Sequence, residues 1–225
     1  LEKETDKRTG KKTEKIIFPR YHQLYVVKKL VADVEESGAG KRYLIQHSAG
    51  SGKSNSIAWL AYHLIGLNNK QGDKIFDSVI VVTDRRNLHK QTSSKFRNFA
   101  KIPSAVGAAG SASHLRNLLF NGKQIVISTV QKFAFILDCI DTNKGKHFAI
   151  IIDEAHSSQS GSLSANMSRV LSGEDAEDEI NKILESRKLR KDASYFAFTA
   201  TPKSKTLEMF GVRTGVNESL KFEPF

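Results

Sequence analysis

The segment from Tyr43 to Leu67 restricts this chain more than any other. Tyr43-Leu44-Ile45-Gln46 is a short apolar run of strand type, and it leads into Ala49-Gly50-Ser51-Gly52-Lys53-Ser54. Ile57, Leu60, Ala61 and Leu64 then recur at helical spacing, so a helix is expected over 54–67. A glycine-rich loop between a strand and a helix lets backbone N–H groups curl around phosphate oxygens. Glycine permits the curl because no Cβ stands in the way, and the helix N-terminus adds a favourable dipole. In this arrangement Gly50, Ser51 and Gly52 form the cradle, Lys53 reaches the β- and γ-phosphates, and the Ser54 hydroxyl ligates magnesium. The loop departs from G-x-x-x-x-G-K-[ST] at its first glycine, where His47 stands.

Strand and helix patterns alternate along the rest of the chain. Asp77–Thr83 is a continuous β-branched run, as expected of a strand covered on both faces. Strands are also expected at Gln124–Ser128, Phe148–Ile152 and Ser194–Thr199. A helix follows Pro19, with Leu24, Val27, Leu30, Val31 and Val34 on one face and Gly38 and Gly40 to stop it. Further helices are expected over 86–100, over 113–120 with Ser111 or Ser113 as cap, and over 131–140. Strands separated by helices imply a parallel sheet with helices on both faces, and such sheets bind ligands beyond the carboxyl ends of their strands.

Two more strings sit at those ends. Asp153-Glu154-Ala155-His156 follows an apolar strand. Asp153 suits a magnesium ligand, and Glu154 suits a base that orients and deprotonates the attacking water. His156 would couple the nucleotide state to its surroundings. Thr199-Ala200-Thr201-Pro202 ends the last strand, where the hydroxyls of Thr199 and Thr201 are placed to bond Glu154 or His156. Neither string is specific alone; the phosphate loop upstream gives both their meaning.

Composition narrows the partners. The 225 residues carry a formal net charge of +11, which favours a polyanion such as nucleic acid. The single cysteine, Cys139, excludes an internal disulfide and reads as a small core residue in a reducing, cytoplasmic protein. No apolar run approaches the roughly 18 residues that span a bilayer, so no membrane partner is expected. Trp59, Phe133 and Phe135 read as packing residues. Residues 1–15 are mixed in charge and nearly free of apolar side chains, which suggests an arm or linker. Residues 157–192 open as a serine-rich loop and continue as a surface helix, acidic at Glu174–Glu179 and basic at Arg187–Lys191.

Together these strings resemble the first motor domain of superfamily 2 helicases and translocases. More narrowly, the chain resembles the motor-and-nuclease (restriction) subunit of type I restriction-modification enzymes. That likeness rests on residues 43–54, on Val79–Leu88 and on Asp153–Gln159, and it covers roughly 18–210. It implies an α/β fold, a RecA-like P-loop NTPase three-layer sandwich with a mainly parallel central sheet. It also implies ATP and Mg2+ as cofactors, double-stranded DNA as the polymer moved, and specificity and methyltransferase subunits as partners. By the same resemblance Gln23 reads adenine. Thr83, Asp84, Arg85 and Arg86 touch the DNA backbone, as do Ser128, Thr129, Gln131 and Lys132. The implied organisation is an arm over 1–17, a motor domain over 18–210 and, over 211–225, the start of a linker to a second lobe. That lobe would supply an arginine finger worth about 10³ to 10⁵ in rate, so this lobe alone should turn over very slowly. A nuclease would lie upstream. Two other readings stay open: another superfamily 2 DNA or RNA motor, and a phosphate-loop regulator that never touches nucleic acid.

Overall fold

The computed structural model describes residues 2–5, 12–15, 17–48, 50–83, 96, 105–143, 145–153, 193–214 and 221–223. Its centre is a six-stranded sheet made of β3 (Arg42–Gln46), β4 (Ser78–Thr83), β5 (Val106–Ala108), β6 (Ile125–Thr129), β7 (Phe148–Asp153) and β8 (Ala193–Thr199). The strand order is β3-β8-β7-β4-β6-β5, and every pair is parallel. Every residue of β4, β6, β7 and β8 is buried. A strand between two helical layers needs apolar side chains at both parities, which is why these segments read as unbroken runs.

The helices form the outer layers. One core gathers Val27, Leu30 and Val34 of α1 (Tyr21–Ser37) and Ile57, Leu60 and Leu64 of α2 (Lys53–Ile65) on one face of the sheet. The other face carries α3 (Ala112–Phe120) and α4 (Phe133–Thr142), which a single 3₁₀ turn over Val130–Lys132 joins to β6. This is the expected three-layer RecA-like sandwich. Ser111 caps α3 by accepting from the His114 N–H at 3.1 Å, and Gly38 ends α1 with a φ of 73°. A short helix α5 (Ser204–Phe210) follows β8. Two antiparallel pairs lie outside the main sheet, β1 (Glu2–Thr5) with β2 (Lys12–Lys15) and β9 (Val212–Thr214) with β10 (Lys221–Glu223).

Several local expectations change. The amino-terminal arm contains a hairpin that its polar sequence did not announce. β5 was not foreseen either, because Val-Gly-Ala is too short to show a period. Its glycine is closely approached: a Cβ on Gly107 would stand 2.9 Å from Leu118 Cδ2 of α3, so that side chain would have to shift. On α1, Leu24 faces solvent and Gln23 takes the buried place beside Val27. Phe133 is fully buried, but Phe135 is 49% exposed, because residues two apart on a helix face different ways. Cys139 is a core residue, and Trp59 packs against the α1–α2 core. The helices expected over 86–100 and 174–191 lie outside the described residues.

Candidate nucleotide-binding site

The chain order of the strands brings the motifs together. β8, the last strand of the main sheet, lies between β3 and β7, so the loop after β3 and the carboxylate ending β7 sit two strands apart. Register places Gln46 beside Thr199, and Thr83 beside both Asp153 and Thr129. All five residues therefore lie along the carboxyl edge. Alternation puts the Asp153, Thr83 and Thr129 side chains on the α1–α2 side, in step with Ile151, Val81 and Ile127.

The loop itself turns through two glycines in the left-handed region. Gly50 has a φ of 75° and Gly52 a φ of 85°. Gly52 is the N-cap of α2, so the positive end of that helix opens on the loop. Lys53, the first residue of α2, reaches across β8, and its Nζ lies 3.5 Å from Asp153 Oδ1. Both are largely hidden, the side chains being 15% and 6% exposed. A buried lysine and a buried carboxylate thus face each other at the strand ends, with Ser54 one residue further along α2.

The loop is held from three sides. Gln23, 4% exposed, donates its amide to the carbonyls of Ser51 at 3.1 Å and Gly52 at 3.0 Å, and its Oε1 accepts from the Arg20 N–H at 2.8 Å. His22 Nε2 also meets the Ser51 carbonyl, at 3.2 Å. Just after β3, the His47 ring contacts Ser51 Oγ and lies 3.3 Å from Ser56 Oγ of α2. Burial, then the nearby His22 and Lys53, push the His47 imidazole below its usual value. A cavity of about 250 Å³ opens beside this cluster, bordered by His22, Val26, His47 and Ser51.

Of the expected site residues, Gly50, Ser51, Gly52, Lys53, Ser54, Gln23 and Asp153 come together here. Thr129 is buried further along the edge, with Lys132 Nζ 3.4 Å from its hydroxyl. Thr199 is buried, and its carbonyl accepts the His47 N–H at 2.7 Å, while Thr201 is exposed. Glu154, His156, Asp84, Arg85 and Arg86 lie outside the described residues. The sequence did not identify His22 and His47 as loop partners. The one available signal was the histidine at a position where a glycine is usual.

A parallel sheet with a phosphate-type loop, a lysine and a strand-end carboxylate at one edge defines a P-loop ATPase domain. The model of the SWI2/SNF2 ATPase family matches residues 22–216, and the chain belongs to that family. Among curated relatives, it is 30% identical over 200 residues to the type I restriction enzyme SauMSSORF170P endonuclease subunit of Staphylococcus aureus strain MSSA476. The alignment covers 85% of this chain but 18% of that subunit. A nuclease-deletion mutant of the Type ISP restriction-modification enzyme LlaGI, solved with a DNA substrate mimic, has a similar fold: TM-score 0.52, 16% identity, 84% of this chain and 18% of that one covered. So has the DEAD-box helicase Mss116 bound to ssRNA and UDP-BeF, with TM-score 0.55, 16% identity and coverage of 85% and 37%. Among the described residues no helix is long and apolar enough to cross a membrane.

Proposed function

We propose that this domain is the first ATP-hydrolysing lobe of a double-stranded DNA translocase, in the motor subunit of a type I restriction-modification enzyme. The approach of Lys53 Nζ to Asp153 Oδ1, 3.5 Å, carries the reading. A cationic tip beside a glycine loop and a carboxylate opposite it mark the two sides of a triphosphate–magnesium complex. With ATP present, phosphate oxygens become the partner of Lys53. The backbone of Gly50, Ser51 and Gly52 wraps the same phosphates.

The residues suit magnesium. The Ser54 hydroxyl and Asp153 carboxylate are hard oxygen donors. Bound there, Mg2+ would neutralise charge on the phosphoryl oxygens. Glu154, next in the chain, takes the proton of the attacking water. Gln23 reads the adenine edge by turning an amide hydrogen from a loop carbonyl to the base, so base recognition and loop geometry share one side chain.

DNA lies along the same edge. Arg85 and Arg86 follow β4, Thr129 ends β6 and Lys132 follows it; these contact sugar and phosphate rather than bases. The net charge of +11 and the restriction-subunit relatives support that partner. His156, Thr199 and Thr201 relay the nucleotide state. A second lobe completes the ATP site, a separate nuclease domain cuts, and specificity and methyltransferase subunits assemble with the motor in the cytoplasm.

The test is Lys53→Ala in the complete subunit assembled with its partners. DNA-stimulated ATP hydrolysis should fall by about 100-fold or more, the scale of losing one preorganised charge at developing phosphoryl charge. Displacement of a triplex-forming oligonucleotide, which reports movement along duplex DNA, should stop with it. Full hydrolysis in the variant would remove the site assignment. DNA affinity should fall steeply between about 50 and 200 mM salt; its absence at low salt would favour a regulator that does not touch nucleic acid.

A further inference from the structure

His47 replaces a glycine of the phosphate loop, and the function above does not use it. Its hydrogen bonds assign its protons. The Ser51 hydroxyl donates to the Ser48 carbonyl, so its one hydrogen is engaged there. His47 Nδ1, which meets the same Ser51 Oγ, is therefore the donor of that pair. Nε2 is left as an acceptor, and it takes the hydroxyl of Ser56 at 3.3 Å. Ser56 is fully buried in α2. The His47 main-chain N–H donates to the Thr199 carbonyl at 2.7 Å. The ring meets His22 of α1 edge-on at 5.4 Å between centroids and Phe198 of β8 at 6.3 Å. One residue thus touches the loop, α2, α1 and the exit of β8.

We propose that His47 is a positioning residue for ATP: its neutral imidazole locks the Gly50–Gly52 turn onto α2, while its main-chain N–H ties the start of the loop to the end of β8. The inference rests on the nucleotide reading above. A glycine at position 47 would leave the turn without either side-chain bond and would strand the Ser56 hydroxyl in the core. A protonated ring would reverse the second bond, because Nε2 would then carry a hydrogen and the Ser56 hydroxyl would have to turn from donating to accepting. Among the described residues, the charged or titratable groups facing the ring are His22 from α1 and Lys53 from α2; Phe198 and Thr199 of β8 and Gln46 of β3 bring no charge. Burial and those two neighbours keep the ring neutral near pH 7, so an acid limb should appear only below the usual histidine value of 6.5.

The experiment measures KM and kcat for Mg-ATP between pH 5.5 and 8 in the complete subunit, for wild type, His47→Gly, His47→Asn and Lys53→Ala. Asparagine keeps a donor near the place of Nδ1 and does not titrate. Expected for His47→Gly is a KM raised about tenfold, the scale of losing two neutral hydrogen bonds, with kcat changed much less. Expected for His47→Asn is recovery of most of that loss and disappearance of the wild-type acid limb in KM. An unchanged KM in His47→Gly, or an acid limb that survives in His47→Asn, overturns the proposal. If His47→Gly does not fold, the asparagine profile alone decides. Lys53→Ala separates the two readings: its silence counts against the nucleotide site itself, whereas its effect beside silent His47 variants overturns only the positioning role.

Discussion

Gly52→Ala tests how the phosphate loop is held, and the structure sets its size. At Gly52 φ is 85°, where a Cβ costs about 1–2 kcal/mol. The same Cβ would collide with the amide nitrogen of Gln23. Gln23 must then withdraw from the Ser51 and Gly52 carbonyls, losing two bonds of 3.1 and 3.0 Å. At about 0.5–1.5 kcal/mol each, those bonds add about 1–3 kcal/mol. The sum, about 2–5 kcal/mol, corresponds to a nucleotide affinity weakened about 30- to 4000-fold. With Gln23→Ala already in place, the collision and the bonds are gone and only the backbone cost remains, about 5- to 30-fold. Titrating a fluorescent ATP analogue into wild type, both single variants and the double variant should give a coupling of about 1–3 kcal/mol. If Gly52→Ala costs the same in both backgrounds, Gln23 does not hold the loop and the latch described above is wrong.

Two further predictions concern the scaffold. Phe196 is fully buried and stacks on Tyr43 at 4.8 Å, so Phe196→Ala should lower unfolding free energy by about 3–5 kcal/mol, read from urea midpoints. Asp33 opposes its own burial by accepting from Tyr43 Oη at 2.8 Å and Lys41 Nζ at 3.0 Å, and its carboxyl is held below the usual range. A carboxyl lowered by folding stabilises the protein above its unfolded value near 3.8 and loses that effect as pH falls through the lower, folded value. Asp33→Asn should therefore be less stable than wild type at pH 7, with the gap closing toward pH 3; a constant gap would exclude the linkage.

The parts of the architecture written in long patterns were legible. β4, β6, β7 and β8 announced themselves because burial on both faces demands apolar side chains at every position. α1 and α2 showed their periods, and Ser111 was one of two caps weighed for α3. The loop, Lys53 and Asp153 could be read because their spacing and strand-end setting leave few other uses. What tertiary contact decides was hidden. Gln23 is expected to read adenine, but its burial as a bracket of the loop was hidden, since its bonds run to residues 28 and 29 positions away. His47 looked like a gap in a motif, because nothing in the local string shows Ser56 behind it. β5 escaped because three residues cannot display a period, and Phe135 because helix phase depends on where the helix begins.

The placement of β8 has a consequence for how the protein is made. A ribosome delivers the loop around Lys53 early and the 193–199 strand late, yet that strand is the spacer across which Lys53 meets Asp153. A nascent chain released before residue 193 would carry both glycines of the loop without the strand that spaces them from Asp153. Nucleotide capture should accordingly begin abruptly during synthesis, when that late strand is inserted, and not build up as the motifs emerge one by one.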